Sequence, residues 1–210
     1  LQKVAWWISE GAAGKVASVR AHLGEYLPNW HPWEDYRQSY AARPDLGGGV
    51  ILTLTHPLDY LRWLLGEVEA LWSFSGALGG LGLAVEDTAE IGLRFANGAV
   101  GTVHLDFVQR PPSHMLELIG TQGMIRWEAS SGAAFLYSAE KQGWEVISAP
   151  EGFERNTLFL DELRHFIKVA EGKEQPLCTL DDGCKALELA LAARQSAADG
   201  AMVRFGVSKL

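Results

Sequence analysis

One stretch constrains the fold more than any other: Asp45 to Gly66, Asp-Leu-Gly-Gly-Gly-Val-Ile-Leu-Thr-Leu-Thr-His-Pro-Leu-Asp-Tyr-Leu-Arg-Trp-Leu-Leu-Gly. The glycines Gly47 to Gly49 free the backbone to take positive φ or to pass close to a neighbour. Val50 to Leu54 is a short apolar run of strand length, and a helix signature follows at once. Pro57 suits the first helical position, where a missing N–H costs nothing. That placement makes His56 the N-cap and sets Asp59 in the first turn, opposite in charge to the helix end. Leu58, Leu61 and Leu65 recur at helical spacing, and Gly66 supplies the stop.

The expectation is therefore a histidine held where a strand gives way to a helix. A helix N-terminus carries partial positive charge, which favours a neutral, proton-accepting imidazole. Two readings stand: His56 caps the helix, or it takes part in catalysis.

Composition narrows the partners. With 210 residues, 48% of them hydrophobic, the chain can bury a substantial core and is most simply one domain. The net charge of −8, with no basic stripe to offset it, argues against nucleic acid or an acidic membrane as partner. No apolar run of roughly 18 residues and no signal-peptide pattern appear, so a soluble, cytoplasmic protein is expected. Cys178 and Cys184 lack metal-site spacing and nearby histidines, and read as ordinary thiols. No metal site is expected.

Upstream, the span from Leu27 to Tyr40 is crowded with Trp30, His31, Trp33, Tyr36, Arg37 and Tyr40 and interrupted by Pro28 and Pro32. Aromatic faces beside polar groups suit a sugar, whose C–H face is apolar and whose edge carries hydroxyls. A loop pinned by buried tryptophans is the equal alternative. Arg37 offers a fork for a substrate carboxylate or phosphate, or simply a surface ion pair. Arg110 and His114 flank Pro111-Pro112, where a strand end can meet a ligand.

The strands are expected at Lys15–Tyr26, Val68–Ser75, Glu86–Phe95, from about Thr102 to Val108, Met115–Gly120, Met124–Glu128, Phe135–Tyr137 and Trp144–Ile147. Neither Gly11-Ala-Ala-Gly14 nor Gly76-Ala-Leu-Gly-Gly-Leu-Gly82 joins a strand to a helix, so neither is a cofactor cradle; the second reads as a mobile loop. Ile91, Leu93 and Phe95 share a face. A loop of Ala96-Asn97-Gly98, with Gly98 left-handed, brings Val103, Leu105 and Phe107 onto the same side. Glu90, Arg94, Thr102, His104 and Asp106 then line the other side, as solvated residues or as a wet subunit interface.

Two helices are expected to close the chain. Asn156 caps one, with Phe159, Leu163, Phe166, Ile167 and Ala170 as a core-facing stripe ending at Gly172. Asp181 or Asp182 caps the other, with Ala186, Ala190, Ala193 and Ala197 as a narrow stripe ending at Gly200. Hairpin strands and segregated helices make an α+β fold: a mainly antiparallel, open-faced sheet with helices on one face.

The Asp45–Gly66 stretch, with Tyr26-Leu-Pro-Asn-Trp-His-Pro-Trp-Glu-Asp-Tyr-Arg37 before it and Val108-Gln-Arg-Pro-Pro112 and Leu118-Ile-Gly-Thr-Gln-Gly123 after it, resembles the glucose–fructose oxidoreductase / inositol dehydrogenase (Gfo/Idh/MocA) family. The likeness covers nearly the whole chain but only the C-terminal half of a family member. It implies a domain of the dihydrodipicolinate reductase / GAPDH C-terminal type, residues 1–210, that binds substrate and forms homo-oligomers through its sheet face. It also implies a preceding Rossmann domain holding NAD or NADP and a catalytic lysine, neither within these residues, so the chain alone is expected to be inactive. The implied chemistry is hydride transfer from a sugar, nucleotide sugar or polyol. His56 would handle the proton or orient the hydroxyl, with Trp30, His31, Trp33, Tyr36, Arg37, Thr53, Arg110 and His114 around the substrate. Relatives usually carry an acidic residue where Thr53 stands and often an arginine where His114 stands. Threonine can hydrogen-bond but brings no charge. Either the lysine does most of the proton transfer, or this chain is a non-catalytic binding or scaffold protein that kept the fold.

Overall fold

The computed structural model describes residues 1–206. Helix α1 (Gln2–Ser9) leads into strand β1 (Val16–Tyr26), then four short 3-10 turns between Leu27 and Leu46. A single helical turn α2 (Val50–Thr53) and helix α3 (His56–Leu65) precede β2 (Val68–Gly76), β3 (Thr88–Phe95), β4 (Val100–Asp106) and β5 (Val108–Gly120). Strands β6 (Gly123–Glu128), β7 (Ala133–Ser138) and β8 (Gly143–Ile147) follow, then helices α4 (Arg155–Ala170) and α5 (Leu180–Asp199) and the short β9 (Val203–Arg204).

The strands form one sheet of nine in the order β8-β7-β6-β5-β1-β4-β3-β2-β9, antiparallel except where β1 lies parallel to β4. The fold is the expected α+β arrangement. Ile91 pairs with Val103 and Leu93 with Gly101, so both apolar sets point inward and Ile91, Phe95, Val103, Leu105 and Phe107 are fully buried. The loop is the expected Ala96-Asn97-Gly98. Gly98 has φ 91°, and its N–H donates to Phe95 O at 2.9 Å.

Helix α1 buries Val4 and Trp7, α3 buries Leu58, Leu61 and Leu65, and α5 lays Ala186, Ala190 and Ala193 against β2. Small side chains allow the close approach. Near the C-terminal end of α5 the Ser196 hydroxyl accepts from Ser73 N–H (2.9 Å) and donates to Ala201 O (2.7 Å). Helix α5 ends at Gly200 in the left-handed region (φ 63°), as expected.

Four expectations are corrected. Val50–Leu54 is not a strand but, over Val50–Thr53, a helical turn, because Gly49 (φ 110°) redirects the chain and Thr53 N–H closes on Gly49 O at 3.0 Å. Val50 and Ile51, neighbours in sequence, are both fully buried in the core. The φ of 110° at Gly49 lies where L side chains are strained, so the turn favours glycine there. The second correction concerns α3, which begins at His56 itself. Thr55 is the N-cap, with helical φ/ψ, and its carbonyl accepts from Leu58 N–H (2.9 Å).

The third correction concerns the closing helices. Glu154, not Asn156, precedes α4, and the stripe of Phe159 (56% exposed), Leu163 (55%), Phe166 (65%) and Ile167 (47%) lies on the surface rather than in the core. Periodicity tells which residues share a face, not what covers it. On α5 the cap is Thr179, in a capping box with Asp182. The Thr179 hydroxyl and N–H, followed by Arg62, hold the Asp182 carboxyl down at about 2.

The fourth correction is the Gly76–Gly82 segment, which Asp87 pins. Its buried carboxylate accepts from Leu78 N–H (2.8 Å), Gly79 N–H (3.0 Å) and the Thr88 hydroxyl (3.0 Å). Asp87→Ala is expected to cost about 2 kcal/mol, since exposed Leu78 and Gly79 can turn their N–H groups to water and recover part of the loss. Asp87→Asn should cost less, because an amide oxygen still accepts. Urea unfolding of the two variants checks this order; equal losses would mean that the carboxylate's charge, not its shape, secures the loop.

Candidate active site

Between α3 and the inner face of β5 and β6 lies a group of aromatic and imidazole side chains. His56, the first residue of α3, is exposed. Tyr60, four residues on and so on the same helical face, is buried. The Tyr60 ring stacks on His114 of β5 (centroids 5.8 Å, interplanar 28°), and Trp127 of β6 meets His114 edge-on at 4.9 Å. Strand register explains the meeting: Leu23 pairs with His114 and Leu116 with Trp127, all inward-facing.

The electrostatics follow from burial. Burial first, then the charges of His56 and His22, hold the His114 imidazole down at about 4, so the ring is neutral at physiological pH. Burial pushes the Tyr60 phenol well above its ordinary value, and it stays protonated. His114 Nε2 and Tyr60 Oη are buried without a hydrogen-bond partner among the described residues. Buried polar atoms rarely stay orphaned. Two of them pack in one group behind the face of α3 that carries the exposed His56.

The other expected residues divide. The Thr53 hydroxyl lies in the α2 turn, buried and unpartnered. Trp30 packs edge-on against Phe107 (5.6 Å), and the Tyr36 hydroxyl donates to Leu81 O (2.9 Å), so these two pin the aromatic loop. His31 and Trp33 sit together on the surface (5.4 Å), Trp33 with 77% of its area exposed. Arg37 is ion-paired with Asp35 (3.5 Å) and lies over the Tyr36 ring, and Arg110 lies over Tyr26 at 4.0 Å. Among the described residues, no hydrogen bond or ring contact joins the His31–Arg37 loop to the His56–His114 group. Tyr60 and Trp127 were missed in the sequence. Tyr60 was legible from its spacing to His56; Trp127 depends on sheet register.

No glycine turn among the described residues runs from a strand directly into a helix.

Residues 1–126 match the model of the GFO/IDH/MocA C-terminal domain. The chain is 30% identical over 203 residues to 1,5-anhydro-D-fructose reductase of Ensifer adhaerens, covering 92% of this chain and 57% of that protein. It is 29% identical over 145 residues to levoglucosan dehydrogenase of Pseudarthrobacter phenanthrenivorans, covering 57% of this chain and 36% of that protein. Among solved structures it superposes on levoglucosan dehydrogenase in complex with NADH and levoglucosan with TM-score 0.84 at 21% identity, covering 97% of this chain and 62% of that one. A dehydrogenase of Bordetella pertussis in complex with NADH and UDP-GlcNAcA gives TM-score 0.74 at 22% identity, covering 99% of this chain and 61% of that one. The chain thus spans about three fifths of the length of these solved relatives.

Proposed function

Because the chain belongs to the GFO/IDH/MocA family, we propose that it is the substrate-binding half of a nicotinamide-dependent oxidoreductase acting on a hydroxyl of a sugar, nucleotide sugar or polyol. One observation carries the reading: exposed His56 stands on the same face of α3 as Tyr60, whose phenol, with His114 Nε2, is a buried polar group lacking a partner. Relatives named as sugar dehydrogenases and reductases, some solved with NADH and sugars, support it.

A nicotinamide, when bound, would supply the hydride acceptor or donor for the carbinol carbon. This chain's residues handle binding and the proton. His56 accepts the hydroxyl proton as the carbinol becomes a carbonyl, or returns it in the reverse direction. Tyr60 and His114, stacked on each other, back the face of α3 that presents His56. Trp127 and the His31–Trp33 pair supply apolar surface for the sugar ring, while Arg37 and Arg110 reach any anionic substituent.

The test has two arms. Calorimetry on the isolated 210-residue chain is expected to show no appreciable NAD or NADP binding. The longer polypeptide carrying this sequence is expected to reduce NAD or NADP with at least one member of a sugar and polyol panel. Nicotinamide binding without turnover on any member would instead assign the chain to a non-catalytic scaffold.

The same reading includes assembly. Trp72, Phe74 and Val100 are 40%, 71% and 48% exposed on the sheet face that no helix covers. An open apolar sheet face of this kind suits a second subunit. A homodimer or larger assembly is expected in analytical ultracentrifugation, and Phe74→Glu should weaken it. A monomer at every concentration tested would count against the interface.

A further inference from the structure

On the open face of the sheet, strands β1, β4 and the start of β5 bring together His22, His104, Asp106 and Gln109. We propose that His22, His104 and Asp106 form a binding site for a divalent transition-metal ion of the zinc type, with the Gln109 carbonyl as a fourth donor.

The geometry comes from the one parallel pair in the sheet, which sets His22 beside His104 and Gly24 beside Asp106. One ligating atom from each of His22, His104 and Asp106 lies within 4.8 Å of the others. Asp106 is 3% exposed, and its Oδ1 is fixed by Val108 N–H (2.8 Å) and Gln109 N–H (2.7 Å). Oδ2 is thereby turned to His104 Nε2, 3.0 Å away. His22 Nε2 faces Gln109 Oε1. Space for the cluster exists because residue 24 is glycine: a Cβ there would lie 2.3 Å from both Asp106 Oδ2 and Gln109 Oε1.

Two features point to a metal rather than a structural hydrogen-bond network. The other nitrogen of His104, Nδ1, faces Glu90 Oε1 at 2.5 Å. A carboxylate behind a histidine, fixing its tautomer so that Nε2 presents a lone pair, is the recurrent support of metal-ligating histidines. Charge is the second feature. Among the described residues, no lysine or arginine pairs with Asp106 or Glu90, so two carboxylates share one imidazole. A divalent ion balances that excess where Asp106 is withdrawn from water. Imidazole and carboxylate donors in a set of four suit zinc, at about 2.0–2.2 Å per bond. Ligation requires the His22 and His104 rings, now stacked at 4.6 Å with 20° between their planes, to tilt toward a common vertex. The site lies on the opposite face from the His56–His114 group, and sequence spacing conceals it because its ligands come from separate strands.

Metal-free protein with Cys178→Ser and Cys184→Ser, which removes the two exposed thiols, is titrated with zinc chloride against a chromogenic chelator. One zinc per chain is expected. His104→Gln should weaken binding by about 100-fold or more, and Glu90→Gln, an exposed and supporting position, by about 10–100-fold. Cobalt(II) should give the visible absorption of a tetrahedral N/O site, lost in His22→Asn. Circular dichroism on the metal-free variants establishes that each is folded, and Glu90→Gln keeps the test open if a ligand variant is not. No stoichiometric zinc binding, or binding that Glu90→Gln and His104→Gln leave unchanged, overturns the site and leaves His104 as a ring bridging two carboxylates by hydrogen bonds alone.

Discussion

In the oxidoreductase proposed above, His56→Asn is expected to lower kcat/KM by about 10²–10⁴-fold, the contribution of a positioned acid–base group, while leaving thermal melting unchanged. The stability half of this prediction rests on geometry. Thr55 occupies the N-cap, so His56 supplies no capping bond, and its ring makes no hydrogen bond to the described residues. Asparagine therefore neither loses nor gains a cap there. The activity half rests on position: an exposed imidazole on the face of α3 that also carries Tyr60, with the polar atoms of Tyr60 and His114 buried and unpartnered. Steady-state kinetics and a melting curve on the same preparation decide it. Retained activity in the variant would move the proton chemistry off this chain, leaving it to bind and orient substrate.

The structure sharpens that experiment beyond what the sequence offers. From the sequence, His56 stood either as a cap or as a catalytic group, and only a functional assay separated them. The backbone removes the first alternative at this position. The Thr53 hydroxyl, without a partner inside a helical turn, also shows why an acid there would not be a simple addition: its carboxylate would be buried and would itself need a donor.

Legibility followed the range of the interactions that decide each element. The Ala96–Gly98 loop was readable because two facing apolar sets fix the strand register, and the left-handed glycine follows from it. The stops at Gly66 and Gly200 are equally local. Val50–Thr53 was misread because three apolar residues and a threonine suit a strand or one buried helical turn, and the choice is made by the backbone at Gly49, whose carbonyl receives Thr53 N–H at 3.0 Å. The α4 stripe was seen correctly as a stripe and wrongly as core, since amphipathicity does not name the surface that meets it. At the site, His56 and His114 were singled out separately. Their association through Tyr60 and Trp127 depends on a helix lying across strands paired far apart in sequence.

His114 gives the second large effect, on stability against pH. Its unfolded-state pKa is the ordinary 6.5, and in the folded protein burial, then the charges of His56 and His22, hold it at about 4. Above 6.5 the ring is neutral in both states and costs nothing. As the pH falls from 6.5 toward 4, the unfolded chain takes up a proton that the native state refuses, so stability declines, by at most about 1.4 kcal/mol per pH unit. Below 4 both forms are protonated and the decline from this group ends. The full loss is on the order of 3 kcal/mol, and by pH 4.5 most of it has occurred. His114→Leu should abolish this component. It should cost little at pH 7.5, because the Nε2 it removes has no partner and the leucine keeps apolar contact with Tyr60 and Trp127. Urea unfolding of both proteins at pH 7.5 and 4.5 isolates the effect, since carboxylates titrating in the same range contribute equally to each. The wild-type protein should lose more stability on acidification than the variant does. Equal losses would mean that His114 takes up its proton in the folded state, opened to water by motion of Tyr60.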